Sequence, residues 1–161
     1  MSSNNSNKHR IVELIPDIRR YAFSLTGLRD HADDLLQKTV EKLLGKPMPP
    51  PPEDRYWVMR VCRNAWIDDI RNQSTNNRLH EDLKTNHSDW HDGEASMINE
   101  ITTDETLKAV RSLEPELRDT LSLVTIQGLS YADTAKFLDI PIGTVMSRIS
   151  RARKLLTNKL C

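Results

Sequence analysis

Residues 128–154 read Gly-Leu-Ser-Tyr-Ala-Asp-Thr-Ala-Lys-Phe-Leu-Asp-Ile-Pro-Ile-Gly-Thr-Val-Met-Ser-Arg-Ile-Ser-Arg-Ala-Arg-Lys. The pattern predicts two short helices joined by a tight turn. Ser130 is a good N-cap, because its hydroxyl can accept from the free amides of the first turn, and Asp133 places a carboxylate at the positive helix end. Asp139-Ile140-Pro141 stops that helix, since proline has no amide to donate and disfavours helical geometry in the residue before it. Gly143 and Thr144 can start the second helix. On it Val145, Ile149, Ala152 and Leu156 recur at helical spacing and form one buried face. Ala135, Leu138 and Ile140 are expected to fill the angle between the helices.

The opposite face of the second helix carries Ser147, Ser150, Arg151 and Lys154, flanked by Arg148 and Arg153. From residue 140 to the end there are five basic side chains and no acidic one. Such a layout is that of a helix-turn-helix, whose second helix lies in the major groove. Arginines there can bridge phosphates or pair with a guanine edge, and serines can serve either.

Working outward, the 161 residues suffice for one medium domain or two small ones. The formal net charge is zero, but the charge is segregated. Residues 1–80 carry thirteen basic and ten acidic side chains, residues 81–103 one and six, and residues 104–161 nine and seven. A neutral total therefore does not exclude nucleic acid, which responds to local patches. No apolar run is long enough to span a bilayer, and the polar N-terminus lacks a signal-peptide core, so a cytoplasmic location without membrane insertion is expected. Cys62 and Cys161 have no metal or disulfide spacing.

Apolar residues at Ile11, Leu14, Ile15, Ile18, Ala22 and Leu25 predict a first helix, with Pro16 suited to its first turn. Gly27 ends it, and Asp30 can cap a second helix bearing Leu35, Leu36, Val40, Leu43 and Leu44. The run Lys-Pro-Met-Pro-Pro-Pro-Pro-Glu at residues 46–53 forbids helix and acts as a stiff loop. A third helix capped near Asp54 follows, with Trp57, Val58, Val61, Cys62, Ala65, Trp66 and Ile70 in a wide apolar stripe. Residues 73–103 are acidic and without period, so they read as a flexible linker. His87, Asp89, His91 and Asp92 within it lack the scaffold of a metal site. After it Leu107, Val110 and Leu113 mark a short helix, and Pro115 opens another containing Leu117, Leu121 and Val124. With no strand pattern, the expected fold is all-α: a bundle at 9–72, a linker at 73–103 and a helix-turn-helix bundle at 104–161.

Residues 128–154 resemble region four, the promoter-reading region of bacterial sigma factors of the extracytoplasmic-function group. His31-Ala-Asp-Asp-Leu-Leu-Gln resembles the same family's polymerase-binding segment. Trp57-Val-Met-Arg-Val-Cys-Arg-Asn-Ala-Trp-Ile-Asp resembles its promoter-melting helix. The matches stand in family order.

The resemblance implies that Asp33, Asp34 and Gln37 grip the clamp helices of the polymerase β′ subunit, with further contact to the β subunit. It implies that Tyr56, Trp57, Arg60, Arg63 and Asn64, with the loop 45–55, hold the opened minus-ten strand. Thr144, Met146, Ser147, Ser150 and Arg151 match positions facing the minus-thirty-five element, with Arg148, Arg153 and Lys154 nearer the phosphates. Met146 offers apolar contact, as to a thymine methyl. A sequestering anti-sigma partner is implied by the same resemblance; no cofactor is.

The alternatives are a stand-alone helix-turn-helix regulator, a pure protein-interaction module and an enzyme. The regulator leaves Asp33, Asp34, Gln37 and the helix from Trp57 without a task. Catalysis is disfavoured because Asp33-Asp34 and Asp68-Asp69 are helix neighbours that diverge by about 100°, and there is no phosphate loop or nucleophile motif.

Overall fold

The computed structural model describes residues 2–79 and 97–160, with side chains over 5–75 and 104–160. Seven helices are described: α1 (Ser2–Thr26), α2 (Arg29–Leu43), α3 (Glu53–Leu79), α4 (Met97–Arg111), α5 (Pro115–Thr125), α6 (Tyr131–Leu138) and α7 (Ile142–Leu160). No strand occurs among the described residues. The helices α1–α3 make the first bundle and α4–α7 the second.

In the first bundle Ile11, Ile18, Ala22 and Leu25 of α1 pack with Leu35 and Leu43 of α2 and with Val58, Met59, Cys62, Ala65 and Trp66 of α3. Trp66, on the apolar stripe, is a core residue, only 5% exposed. Thr39 is fully buried between these helices and turns its hydroxyl onto the carbonyl of Leu35 at 2.7 Å, so its burial leaves no orphan group.

The helix boundaries differ from the sequence expectation in several places. Pro16 lies inside α1 rather than in its first turn. It removes the amide that would have bonded the carbonyl of Val12; Val12 is 61% exposed, so water can meet that carbonyl. Asp30 is in the first turn of α2, which starts at Arg29 after an N-cap Leu28 that makes no side-chain cap. The helix α3 runs on to Leu79, beyond 72, and α4 begins at Met97, before 104. Past Ile70 the helix carries no apolar period, because a helix nucleated on a packed half can propagate without one. His87, Asp89, His91 and Asp92, disfavoured above as a metal site, lie outside the described residues, as does the central part of the linker.

The second bundle holds two small clusters. Leu113, Leu117 and Ala152 form one, with Leu121 and Leu156 against them. Ala135, Val145 and Ile149 form the other, with Leu121, Val124, Tyr131 and Ile140. Leu138 departs from the expected packing: it joins the first bundle's core, as do Leu123, Leu129 and Phe137. The two bundles thus share an apolar boundary rather than standing apart.

That boundary is also tied by polar groups. The last carbonyls of α1 have no partner within their helix. Arg118 donates to the carbonyl of Leu25 at 2.8 Å, and Arg111 to that of Gly27 at 2.9 Å. Arg118 also holds the carbonyls of Arg111 and Leu113, at 2.7 and 3.0 Å, and lies 5.9 Å over the Trp66 ring. Gly27 adopts φ +68 and has the Arg111 side chain where a Cβ would stand, so both conformation and space demand glycine.

Candidate nucleic-acid interface

The helix-turn-helix forms as its sequence requires. Ser130 accepts from the amide of Asp133 at 3.0 Å, the capping geometry expected. Asp139 takes the left-handed conformation, φ 54, and the amide of Ile140 reaches the carbonyl of Ala135 at 3.0 Å. An Asp tolerates that conformation better than a branched residue would. The chain then re-enters helix at Ile142, one residue ahead of Gly143.

Val145, Ile149 and Ala152 turn inward, so the outer face of α7 presents Met146, Ser147, Ser150, Arg151, Arg153 and Lys154 to solvent. Met146 is 50% exposed, a large apolar side chain in the middle of a polar face. Ser147 bonds back to the carbonyl of Thr144 at 3.2 Å and stays exposed, while Thr144 is half-buried. Arg148 differs from its flanking arginines. It is half-buried and sits 3.6 Å from Glu116 of α5, so it braces α7 against its own bundle.

On the first bundle Asp33, Asp34 and Gln37 lie on the exposed face of α2. The neighbouring lysines are engaged: Lys38 pairs with Asp69 at 2.8 Å, and Lys42 with Asp68 at 3.6 Å. The face left to a partner is therefore acidic and polar.

The residues matched to strand capture are not equally free. Tyr56 and Asn64 are exposed and Trp57 is half-buried. Arg60 lies 5.0 Å over the ring of Phe137, from α6. Arg63 pairs with Asp119, from α5, at 2.5 Å. The loop before α3 is anchored from α1: Arg10 donates to the carbonyl of Pro49 and pairs with Asp54 at 3.0 Å.

Asp119 is 2% exposed. It accepts from the Tyr21 hydroxyl at 2.8 Å as well as from Arg63. Burial pushes its carboxyl up from the ordinary value of 3.8, and Arg63 and Tyr21 only partly offset this. Burial, with Asp119 beside it, likewise pushes the Tyr21 phenol well above its ordinary range. Beside this node the hydroxyls of Ser24 and Ser122 bond across the same boundary.

Sequence reasoning assigned no task to Asp119, Phe137, Arg111 or Arg118. A signal existed: Leu123 falls off the α5 stripe made by Leu117, Leu121 and Val124, so α5 has a second apolar face.

A family model described as Sigma-70, region 4 matches residues 103–156, and one described as the Sigma2 domain of PhyR matches residues 11–62. The ECF RNA polymerase sigma factor EcfG of Rhodopseudomonas palustris (strain TIE-1) is 29% identical over 159 residues, spanning 98% of this chain and 86% of that protein. The ECF RNA polymerase sigma factor SigC of Mycobacterium tuberculosis (strain CDC 1551 / Oshkosh) is 30% identical over 145 residues, spanning 87% and 75%. Among solved structures, the sigma factor RpoE of Bartonella quintana, crystallised with the anti-sigma factor NepR, matches over 95% of both chains with a TM-score of 0.75 and 25% identity. With both bundles matched in order, the chain belongs to the ECF RNA polymerase sigma factors.

Proposed function

We propose that residues 9–72 and 104–161 are the two working units of this sigma factor. The first docks on core RNA polymerase and captures the minus-ten strand; the second reads the minus-thirty-five duplex. Asp33, Asp34 and Gln37 meet the β′ clamp helices. Tyr56, Trp57, Arg60, Arg63 and Asn64 hold the opened strand, where aromatic faces take unstacked bases and cations take phosphates. Met146, Ser147, Ser150 and Arg151 meet base edges, with Thr144 beside them, while Arg153 and Lys154 meet the backbone. The protein works in the cytoplasm, where its polymerase is; among the described residues no helix is long and apolar enough to cross a membrane. Like RpoE of Bartonella quintana, whose structure was solved with an anti-sigma factor, it has a sequestering protein partner.

The observation that carries this reading is the outward face of α7, free of acids and set after the capped helix α6 and its left-handed turn as a recognition helix is. Neither unit need bind tightly, because polymerase fixes their separation and tethering raises effective concentration. In-vitro transcription with purified core polymerase on a genomic library tests it. Defined start sites that require both chain and core support it. Strong sequence-specific duplex binding by the chain alone favours a stand-alone regulator instead.

A further inference from the structure

The helix α7 opens at Ile142, one residue ahead of Gly143, and that residue extends the face it presents. Ile142 stands one turn before Met146 and two before Ser150, so the three form a single ridge along the helix. Both apolar members of the ridge meet water: Ile142 is 45% exposed and Met146 50%. Val145 and Ile149, beside them in sequence, are buried in the cluster with Ala135, which neither Ile142 nor Met146 joins. A lone exposed apolar side chain needs no explanation. Two in register do, on a face without acids, at the end of a recognition helix that contacts base edges.

Gly143 adds a second observation. Its φ lies outside the left-handed range, and a Cβ there would meet nothing within 4 Å. Glycine is a poor helix former, and nothing among the described residues demands one at this place. A surface from outside that approaches the backbone closely does. That surface would meet α7 beside Ile142.

The major groove offers donors, acceptors and one apolar group, the C5-methyl of thymine. We propose that Ile142 is a base-reading residue, and that Ile142 and Met146 together recognise the C5-methyl groups of two thymines in the minus-thirty-five duplex. The proposal rests on the reading that places α7 in that groove. Four residues rise about 6 Å along the helix, and base pairs stack about 3.4 Å apart, so the two thymines stand one or two steps apart. Ser147 and Arg151 lie on the neighbouring ridge and are exposed. One ridge thus selects by methyl contact and the other by hydrogen bonds. Withdrawing one methyl from water is worth about a fourfold change in affinity.

The test uses the full chain on core polymerase and a promoter duplex from the genomic library on which this holoenzyme initiates. Each thymine of the minus-thirty-five element is replaced singly by deoxyuridine, which pairs as thymine does and lacks only the methyl. Competition against the unmodified duplex reads the affinity. Two replacements, no more than two steps apart, each weaken binding about fourfold. Ile142→Ala abolishes the penalty at one of them and keeps it at the other; Met146→Ala does the converse. A purely structural role for either side chain lowers binding without moving the uridine penalty. Both positions are exposed and alanine is the best helix former, and thermal unfolding checks that each variant is folded. Gly143→Ala keeps or raises the melting temperature and weakens binding to thymine and uridine duplexes alike.

A minus-thirty-five element without thymine, or uridine tolerated at every position, overturns the methyl reading. So do uridine penalties that survive in both alanine variants. A penalty abolished by Met146→Ala alone leaves Ile142 without a base and overturns its assignment. Gly143→Ala binding as well as the parent removes the close approach at the start of α7, and Ile142 with it. Scrambling the whole minus-thirty-five element separates the two levels of failure. If binding is then unchanged, α7 does not read the groove at all; if binding falls while uridine is tolerated, the methyl pair alone is struck.

Discussion

Arg10 on α1 and Asp54 in the first turn of α3 form an ion pair at 3.0 Å, and the same guanidinium donates to the carbonyl of Pro49 in the loop between α2 and α3. Asp54 is 8% exposed, so the pair is largely withdrawn from water. Arg10 thereby ties a proline-stiffened loop to a helix 39 positions away. Arg10→Ala leaves Asp54 without its cation and the loop without its anchor. The expected cost is about 1–2 kcal/mol, below the usual penalty for a fully buried pair because both side chains retain some exposure. Urea unfolding measures it. Transcription from a linear promoter drops further than stability accounts for, and a template already mismatched across the minus-ten region restores it. No rescue by premelting would show that the anchor serves stability alone.

Asp119 gives the closed arrangement a pH dependence with a definite sign. Burial raises its carboxyl pKa above the ordinary 3.8, with Arg63, Tyr21 and Arg148 acting the other way. The closed form therefore holds the proton more tightly than an open form in which Asp119 meets water. Closure is favoured as pH falls through the raised pKa, fully so below 3.8, and that part is lost as pH rises. Energy transfer between dyes on α2 and α6 should increase on acidification. Asp119→Asn, which keeps the shape without the charge, should remain closed and lose this slope. An increase with rising pH, or an unchanged slope in Asp119→Asn, would mean that other groups set it.

Cys62 offers a probe of the first bundle's integrity. It is fully buried, and burial pushes its thiol up to about 12, with a hydrogen bond to Thr39 acting the other way and Asp119 adding to the rise. At pH 8 the thiolate fraction is roughly one in ten thousand. In a Cys161→Ser background, alkylation at pH 8 should follow unfolding of α1–α3 and not opening between the bundles. Prompt labelling of the folded chain would show that α3 separates from α1 and α2 on its own.

The helix-turn-helix was legible because its signals are local. Ser130 caps within three residues, Pro141 breaks, and Val145, Ile149 and Ala152 repeat on one face. The first bundle was legible through the stripe around Val58, Cys62 and Trp66. The closure of one bundle on the other was not, because it rests on pairs such as Tyr21 with Asp119, 98 positions apart. Nothing local marks a single aspartate as buried, or Phe137 as facing another bundle rather than the turn beside it. For the same reason Arg63 could be matched to DNA from its neighbours, while its present partner could not be named. The end of α3 was missed because polar helix carries no periodic signature.

Three arginines on α7 look alike in sequence and divide in the structure. Arg148 is half-buried against Glu116, whereas Arg151 and Arg153 are exposed on the outer face. Each phosphate contact contributes nearly one counterion to the salt dependence of binding, and a bidentate base contact contributes discrimination at one position. For the polymerase-bound sigma on promoter DNA, Arg153→Ala should reduce the slope of log affinity against log salt by about one and weaken all promoters alike. Arg151→Ala should cost about 1–3 kcal/mol at one base pair of the minus-thirty-five element and relax selectivity there. Arg148→Ala should leave both quantities nearly unchanged and lower the melting temperature slightly, since its partner is an exposed Glu116 and such pairs stabilise by at most about 1 kcal/mol. A full unit of salt slope lost in Arg148→Ala would mean that Arg148 leaves Glu116 for a phosphate when α7 enters the groove.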